Sequence, residues 1–276
     1  MQTFHVQKAS GELESFDQAK LIRSLQRSGA KPDAIEFVIS RLLPLVREGI
    51  ATKDLYRRTF QLLKKYRRPL AARYSLKPAL VQLGPEGFAF EKFVGAIFRK
   101  QGFEVSNDIF LDGKCVTHEI DVFARKGDTF LLAECKFHRS NVSKCDIKTA
   151  LYVHARAVDV AQGPKGVSFT DFRLVTNGKF SSDAEKYAAC SRLGLLGWAY
   201  PPGHGLRELA AEFSVHPLTC LTTLTAVQKK RLLSFGAVTC EDLVNDPSLL
   251  RRASIPEKDV DPVLGEIESI AEKDHF

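Results

Sequence analysis

The chain has 276 residues, 44% hydrophobic and 26% charged, a globular composition with enough length for more than one domain. Its formal net charge of +7 favours a polyanionic partner. Six scattered cysteines without a CxxC pair argue against a zinc site or a disulfide framework. The chain has neither a signal-peptide pattern nor an apolar run long enough to span a bilayer. We therefore expect a cytoplasmic protein without a membrane partner.

The first block, residues 1–82, reads as a small α+β module. Phe4 and Val6 alternate with polar residues and "ASGE" follows, which predicts a short hairpin. Asp17 is a predicted N-cap for the helix that comes next. Two more helices follow, and Thr52 is predicted to cap the second of these.

The second block, residues 83–206, mixes strands and helices and predicts an α/β fold with a central mixed sheet. It opens with apolar residues at helical spacing, namely Phe90, Phe93, Val94, Ile97 and Phe98. Three strands follow, then a helix from about Val142 to Ala161, and then a strand, a helix and a last strand. The third block, residues 207–276, consists of short helices and predicts a small helical tail. The whole is an α/β multidomain chain.

Charged residues interrupt two apolar strands of the second block, in the stretch "HEIDVFARKGDTFLLAECKFH". If "RKGD" forms a four-residue turn, Asp121 pairs opposite Leu132 and lies diagonal to Glu134. Both carboxylates then reach one cation, and Mg²⁺ is commonly held by one or two carboxylates. Lys136 points into the same space, where it can orient the attacking water and offset charge on a phosphate.

An exposed hairpin face with one ordinary salt bridge is the alternative interpretation of these charges. The apolar residues around them favour a functional role, since charge inside an apolar strand is costly. Glu91 borders the buried stripe of the preceding helix and becomes a candidate third acid. The pattern predicts a metal site held by Asp121 and Glu134 with Lys136 beside it.

These residues carry a resemblance to the PD-(D/E)xK nuclease superfamily, in its Mrr-type restriction endonuclease branch. The resemblance rests on "GFAFEKFVGAIFRKQGFEV" and "HEIDVFARKGDTFLLAECK" and extends from about Gly84 to Leu206. It implies that Glu91 is the helix acid, that Asp121 and Glu134 are metal ligands, and that Lys136 is the catalytic lysine. The helix after the lysine shows no glutamine of the kind that several branches carry there, so no site residue is assigned to it.

The first block resembles an ATP-cone, a nucleotide-sensing module of ribonucleotide reductases and their transcriptional repressor. The resemblance rests on "VQKASGELESFDQAKLIRSL" and continues through "ATKDLYRRTFQLL". It implies binding of ATP or dATP by the hairpin and the following helix, with Lys8, Lys20 and Thr52 at the nucleotide. Ala9 stands where that family usually has arginine.

The third block faintly resembles helix–hairpin–helix domains, and a solvated helix face explains its basic residues equally well. Cations that could meet DNA phosphates are Lys229, Lys230, Arg231, Arg251 and Arg252. The combined hypothesis is a Mg²⁺-dependent endonuclease that acts on DNA and is controlled by an adenine nucleotide. The hypothesis is compatible with a homo-oligomer. The alternative is a nucleotide-responsive DNA-binding regulator whose nuclease fold does not cut.

Overall fold

The computed structural model describes residues 4–8, 10–84, 87–140, 143–164 and 171–272. The strands are β1 (His5–Gln7), β2 (Leu13–Ser15), β3 (Ile50–Ala51), β4 (Glu104–Asp112), β5 (Thr117–Lys126), β6 (Thr129–Lys136), β7 (Lys144–Cys145), β8 (Asp171–Thr176), β9 (Lys179–Phe180) and β10 (Gly194–Leu196). The first seven helices are α1 (Gln18–Arg27), α2 (Pro32–Leu42), α3 (Thr52–Tyr66), α4 (Arg68–Tyr74), α5 (Leu76–Val81), α6 (Phe88–Lys100) and α7 (Ile147–Ala161). The other six are α8 (Ser182–Ser191), α9 (Leu206–Glu212), α10 (Ala226–Ser234), α11 (Cys240–Asn245), α12 (Ser248–Arg252) and α13 (Glu257–Ala271).

The chain folds into two compact units, and both of them are built from separate parts of the sequence. Unit 1 comprises Met1–Leu76, Cys220–Gln228 and Ser254–Phe276, and unit 2 comprises Lys77–Thr219 and Lys229–Ala253. The helical C-terminal segment therefore contributes to both units. The division into three consecutive domains, at residues 1–82, 83–206 and 207–276, stays a prediction.

Unit 1 contains a three-stranded sheet, in which β1 pairs antiparallel with β2 and parallel with β3. The predicted hairpin is thus present, although Ala9 of its turn lies outside the described residues. Asp17 caps α1 as predicted, because its carboxylate accepts a hydrogen bond from the Lys20 backbone N at 3.0 Å. The prediction for Thr52 is wrong: Ala51 is the N-cap of α3, and Thr52 is the first helical residue.

The C-terminal part of unit 1 is held by hydrogen bonds from two helices. Arg73 of α4 donates from Nη2 to the carbonyl of Ser269 at 3.0 Å and to that of Glu272 at 3.1 Å. Glu266 of α13 is buried and accepts from the backbone N and the hydroxyl of both Thr222 and Thr223. These bonds fix the loop before α10 and the last helix to the N-terminal residues of the same unit.

Unit 2 is organised around a five-stranded mixed sheet in the order β10-β8-β6-β5-β4. Strands β4, β5 and β6 pair antiparallel, whereas β6, β8 and β10 pair parallel. The expected α/β fold with a central mixed sheet is confirmed. The stripe predicted for α6 is buried in full, and its members are Phe90, Phe93, Val94, Ile97 and Phe98. Val142, the predicted start of the next helix, lies outside the described residues, and α7 begins at Ile147.

Helices pack against this sheet and place their side chains near its strands. Helix α6 packs against β4 and β5, and α7 packs against β5, β8 and α8. The hydrophobic core between α7 and the sheet includes Leu132 of β6, Val153 of α7 and Leu174 of β8. Along the described ranges, no helix combines the length and the apolar character needed to cross a bilayer.

Candidate active site

The register of the β5–β6 hairpin sets the position of the two central carboxylates. Val122 pairs with Ala133, and Lys126 pairs with Thr129, so that only Gly127 and Asp128 form the turn. The predicted four-residue turn is therefore wrong, and Asp121 does not pair opposite Leu132. Asp121 instead lies at the position opposite Glu134, one step beyond the Val122–Ala133 pair. Directly opposed residues are closer than the diagonal pair that the sequence suggested.

Glu134 is buried in β6, with 3% of its surface exposed, and both of its carboxylate oxygens meet a cation. Oε1 lies 2.6 Å from Nζ of Lys136, and Oε2 lies 2.6 Å from Nη1 of Arg156. Burial lowers the pKa of Lys136, but the hydrogen bond and the charge of Glu134 outweigh it and raise that pKa above its usual value. The Glu134 carboxylate is thus held between two positive groups.

Asp121 lies beside Glu134, and its carboxylate accepts a hydrogen bond from an uncharged donor. Its Oδ2 accepts a hydrogen bond from the backbone N of Cys135 at 2.6 Å. Burial, and then the charge of Glu134, raise the pKa of Asp121 to about 6. The structure therefore brings Asp121, Glu134 and Lys136 together on neighbouring strands.

Glu91 of α6 belongs to the same cluster of charges. Burial, the charge of Asp121 and a hydrogen bond with Asp108 raise the pKa of Glu91 to about 8. Asp108 lies on β4 with a φ of 53°, between the pairs Asn107–Val122 and Ile109–Ile120, and hence opposite Asp121. No sequence pattern predicts Asp108 as part of the site. Its left-handed backbone, which aspartate tolerates better than most residues, is visible only in the structure.

Arg156 of α7 is the second residue that the sequence analysis did not identify. It donates to Oε2 of Glu134 and also to the backbone carbonyl of Glu119. A signal for it exists in the sequence. Arg156 lies three residues after Val153 and four before Val160, both of which are buried, so an arginine occupies the core-facing side of the helix.

The arrangement can accept a hard divalent cation. Asp121 and Glu134 present carboxylate oxygens from adjacent strands, and oxygen ligands are those that Mg²⁺ prefers. Burial, and after it the charge of a neighbouring carboxylate, raises the pKa values of Glu91 and Asp121, and a bound cation would offset both effects. Among the residues that the structure describes, no group of three or more His, Cys, Asp or Glu side chains is arranged to hold a metal ion. The donor set thus fits a site with two protein ligands, completed by water and substrate.

The predicted nucleotide residues of unit 1 also lie close together. Nζ of Lys8 is 2.9 Å from one carboxylate oxygen of Glu14, and Nζ of Lys20 is 3.2 Å from the other. Gln7 pairs with Ala51 at the end of the parallel ladder, so Lys8 and Thr52 each follow a paired residue. Thr52 begins α3, whose N-terminus has no side-chain cap. Lys8 and Lys20 thus meet at one carboxylate, and Thr52 follows the strand that pairs with β1.

The basic residues of α10 and α12 are partly used within unit 2. Lys229 donates to the carbonyl of Thr219 at 2.7 Å, and Arg252 stacks on Phe235 with its guanidinium carbon 4.7 Å from the ring centre. These contacts position both side chains within unit 2, and since both partners are neutral they leave the positive charges in place.

Comparisons with known proteins match two parts of the chain. Residues 84–197 match a family described as restriction endonuclease, and this range contains α6, the five-stranded sheet and the site acids Glu91, Asp108, Asp121 and Glu134. Residues 216–271 match a family described as AF1548-like, C-terminal. The C-terminal helices, for which the sequence suggested helix–hairpin–helix, thus resemble an AF1548-like domain.

A sequence comparison and a structure comparison each find similarity over nearly the whole length of the matched protein. An uncharacterized protein from Archaeoglobus fulgidus is 33% identical over 175 residues, which are 63% of this chain and 97% of the relative. The crystal structure of AF1548, a protein of unknown function, has a TM-score of 0.56 and 31% identity, and covers 67% of this chain and 98% of that one. The MspJI restriction endonuclease in complex with a 27-mer oligonucleotide matches at a TM-score of 0.29 and 17% identity, over 56% of this chain and 34% of that chain.

Proposed function

Since the chain belongs to the family of AF1548-like proteins and contains a restriction-endonuclease-type domain, we propose that it is a Mg²⁺-dependent endonuclease that hydrolyses phosphodiester bonds of DNA. The observation that carries the proposal is the hairpin that opposes Asp121 to Glu134 and places the Lys136 ammonium 2.6 Å from Glu134. DNA as the substrate is supported by the description of the matched domain and by the net charge of +7.

Each residue of the site has a role in this reaction. Asp121 and Glu134 hold the cation, which when bound supplies a Lewis acid toward the scissile phosphate. The Lys136 ammonium orients the attacking water and offsets charge that develops on the phosphate. Glu91, whose pKa is about 8, is a third acid beside Asp121 and carries a proton at neutral pH while no cation is bound. A rigid sheet suits these roles because it fixes the distances among the groups.

The nuclease proposal is tested by plasmid cleavage. Supercoiled DNA should be nicked or linearised in MgCl₂ and left intact in EDTA, and Glu134→Gln should remove the activity because the buried carboxylate is lost. Glu104→Gln is the matched control, since Glu104 is an exposed glutamate on β4 of the same sheet. Cleavage by Glu134→Gln at the wild-type rate would remove the assignment of this site.

The same assay separates the alternative function. A folded wild-type chain that binds DNA but leaves it intact in both MgCl₂ and MnCl₂ would support the non-cleaving regulator. The double ion pair of Glu134 favours that alternative, because both of its oxygens are occupied by cations of the chain itself.

Nucleotide control is the second part of the proposal, with ATP or dATP bound in unit 1. It is supported by Lys8 and Lys20, which both pair with Glu14, and by Thr52, which directly follows the strand that pairs with β1. Lysine ammonium groups and an uncapped helix N-terminus both attract phosphate. A nucleotide that favours one arrangement of the protein over another would change cleavage or oligomeric state.

Calorimetry with ATP and dATP tests this part. The full chain is the right sample, because Met1–Leu76 is only one segment of unit 1. Lys8→Ala/Lys20→Ala should weaken binding, since each lysine provides a charge-assisted contact, whereas Lys31→Ala/Lys65→Ala should not. Absence of heat with either nucleotide at millimolar concentration would contradict the proposal and leave the nuclease assignment standing.

A further inference from the structure

We infer that Arg156 is a positioning residue that fixes one oxygen of Glu134 and leaves the other oxygen for the divalent cation, an inference that rests on the proposed metal-dependent site. The two cations that hold Glu134 differ in how firmly they are held. The Lys136 side chain is 38% exposed, whereas that of Arg156 is 11% exposed. The two ion pairs are equally short, at 2.6 Å, so the difference lies in the anchoring of the two cations.

Arg156 has several anchors besides Glu134. Its Nη2 donates to the backbone carbonyl of Glu119 on β5, and its guanidinium carbon lies 5.5 Å from the ring centre of Tyr152. It projects from α7, a helix of 15 residues whose N-terminus is capped by Asp146. These contacts tie the guanidinium to the backbone of β5 and to the rigid helix, so that it cannot follow Glu134 if the carboxylate moves.

Lys136 has a different environment. Among the described residues, its ammonium is hydrogen-bonded to Glu134 Oε1 alone, and the flexible side chain reaches the solvent. A cation would therefore compete with Lys136 and not with Arg156 for Glu134. Oε1 would be the oxygen available to hold it, while Oε2 would stay on the guanidinium. The Lys136 ammonium would then be able to meet the phosphate, which is the role proposed for it above.

Two effects of Arg156 on cation affinity oppose each other. Its positive charge repels a cation, and its hydrogen bond fixes the carboxylate. The hydrogen bond has the larger effect, because a carboxylate that is 3% exposed depends on its donors for its position. Groups that orient metal ligands change metal affinity or activity by about 10–100-fold when replaced.

The test compares Arg156→Gln with wild type in two measurements. Calorimetric titration of the DNA-free protein with MgCl₂ should show affinity weakened by about 10-fold or more. Single-turnover cleavage should need correspondingly more MgCl₂ and should largely recover at saturation. Arg156→Lys keeps a charge beside Oε2 but lacks the fork that bonds both Glu134 and the Glu119 carbonyl, so its affinity should fall between those of Arg156→Gln and wild type. Arg173→Gln is the control, since Arg173 pairs with Asp171 on β8 of the same sheet and should leave both measurements unchanged.

A double variant shows whether Arg156 acts through Glu134. In a Glu134→Gln background, Arg156→Gln should cause no further loss of MgCl₂ affinity, because the carboxylate that it positions is gone. An additional loss there would overturn the inference. Two results for Arg156→Gln alone would also overturn it. Unchanged MgCl₂ affinity with a slower cleavage rate at every MgCl₂ concentration would mean that Arg156 contacts the substrate directly. Tighter MgCl₂ binding would mean that the charge repulsion outweighs the positioning of Glu134.

The outcomes also distinguish this inference from the proposed function. A wild-type protein that binds no MgCl₂ and cuts no DNA removes both. If wild type binds MgCl₂ and cuts DNA, and if Arg156→Gln and Arg156→Lys are both indistinguishable from it, then only the positioning role is refuted. If Arg156→Gln does not fold, Arg156→Lys decides by the same MgCl₂ titration, where wild-type affinity and rate would overturn the inference.

Discussion

Replacing Asp121 by asparagine should stabilise the metal-free protein at alkaline pH while removing cleavage. Burial and the charge of Glu134 raise the pKa of Asp121 from 3.8 to about 6. Protonation of Asp121 therefore favours the folded state. This contribution to the free energy of unfolding is fully present below pH 3.8, the pKa in the unfolded chain, and is lost as the pH rises through about 6, the pKa in the folded protein. The loss amounts to at most about 3 kcal/mol at pH 8 and about half of that at pH 5.

Urea unfolding in EDTA at the two pH values measures this effect. Trp198 is the only tryptophan of the chain, is buried, and belongs to unit 2, so its fluorescence reports the unit that contains the site. The asparagine of the Asp121→Asn protein is uncharged at both pH values and still offers an oxygen to the Cys135 backbone N, so the hydrogen bond is kept. The gain in the free energy of unfolding over wild type should be larger at pH 8 than at pH 5.

Asp128→Asn provides the matched control, because it removes the same charge from the exposed turn of the same hairpin. Its effect on unfolding should be small and equal at the two pH values. MgCl₂ should stabilise wild type and not Asp121→Asn, since only wild type keeps both ligands. An Asp121→Asn protein that is no more stable than wild type at pH 8, or whose gain is the same at both pH values, would refute the reasoning.

Three further predictions concern other parts of the structure. Lys136→Ala should keep MgCl₂ and DNA binding but lower the single-turnover rate by about 100-fold or more, and an equal loss of DNA binding would count against a chemical role. Glu266→Ala should lower the free energy of unfolding by about 2–4 kcal/mol, because it strips the acceptor from a loop; urea unfolding followed by circular dichroism measures this. Asp159→Ala should speed hydrogen exchange at the amides of Cys115 and Val116, which donate to Asp159 at 2.9 Å and 3.3 Å, and unchanged protection would contradict the anchoring role.

The features that the sequence predicted correctly are those that short-range periodicity encodes. The buried stripe of α6 follows from apolar residues at helical spacing, and Phe90 to Phe98 are buried as expected. The cap at Asp17 is equally local, because the capping bond spans only three residues. The mixed sheet follows from the order of strands and helices along the chain.

The features that the sequence did not predict depend on how distant elements meet. The hairpin register was wrong because "RKGD" allows both a four-residue and a two-residue turn, and shifting between them by two positions keeps the same side chains on each face. Arg156 reaches Glu134 only because α7 packs beside β5, and Asp108 joins Glu91 through an unusual backbone angle. Neither approach is encoded within one element.

The composition of unit 1 from distant parts of the chain has a consequence for biosynthesis. Helix α4 packs against α13, and Arg73 bonds to the carbonyls of Ser269 and Glu272. A ribosome therefore makes the N-terminal segment long before its partner, and the roughly 200 residues between them take about 10–40 s to translate. The nuclease-type sheet is complete during that interval, whereas the small N-terminal module still lacks its last helix. Maturation of unit 1 thus waits for the synthesis of α13, and a truncated product from an interrupted message would carry the acidic site without a finished N-terminal module.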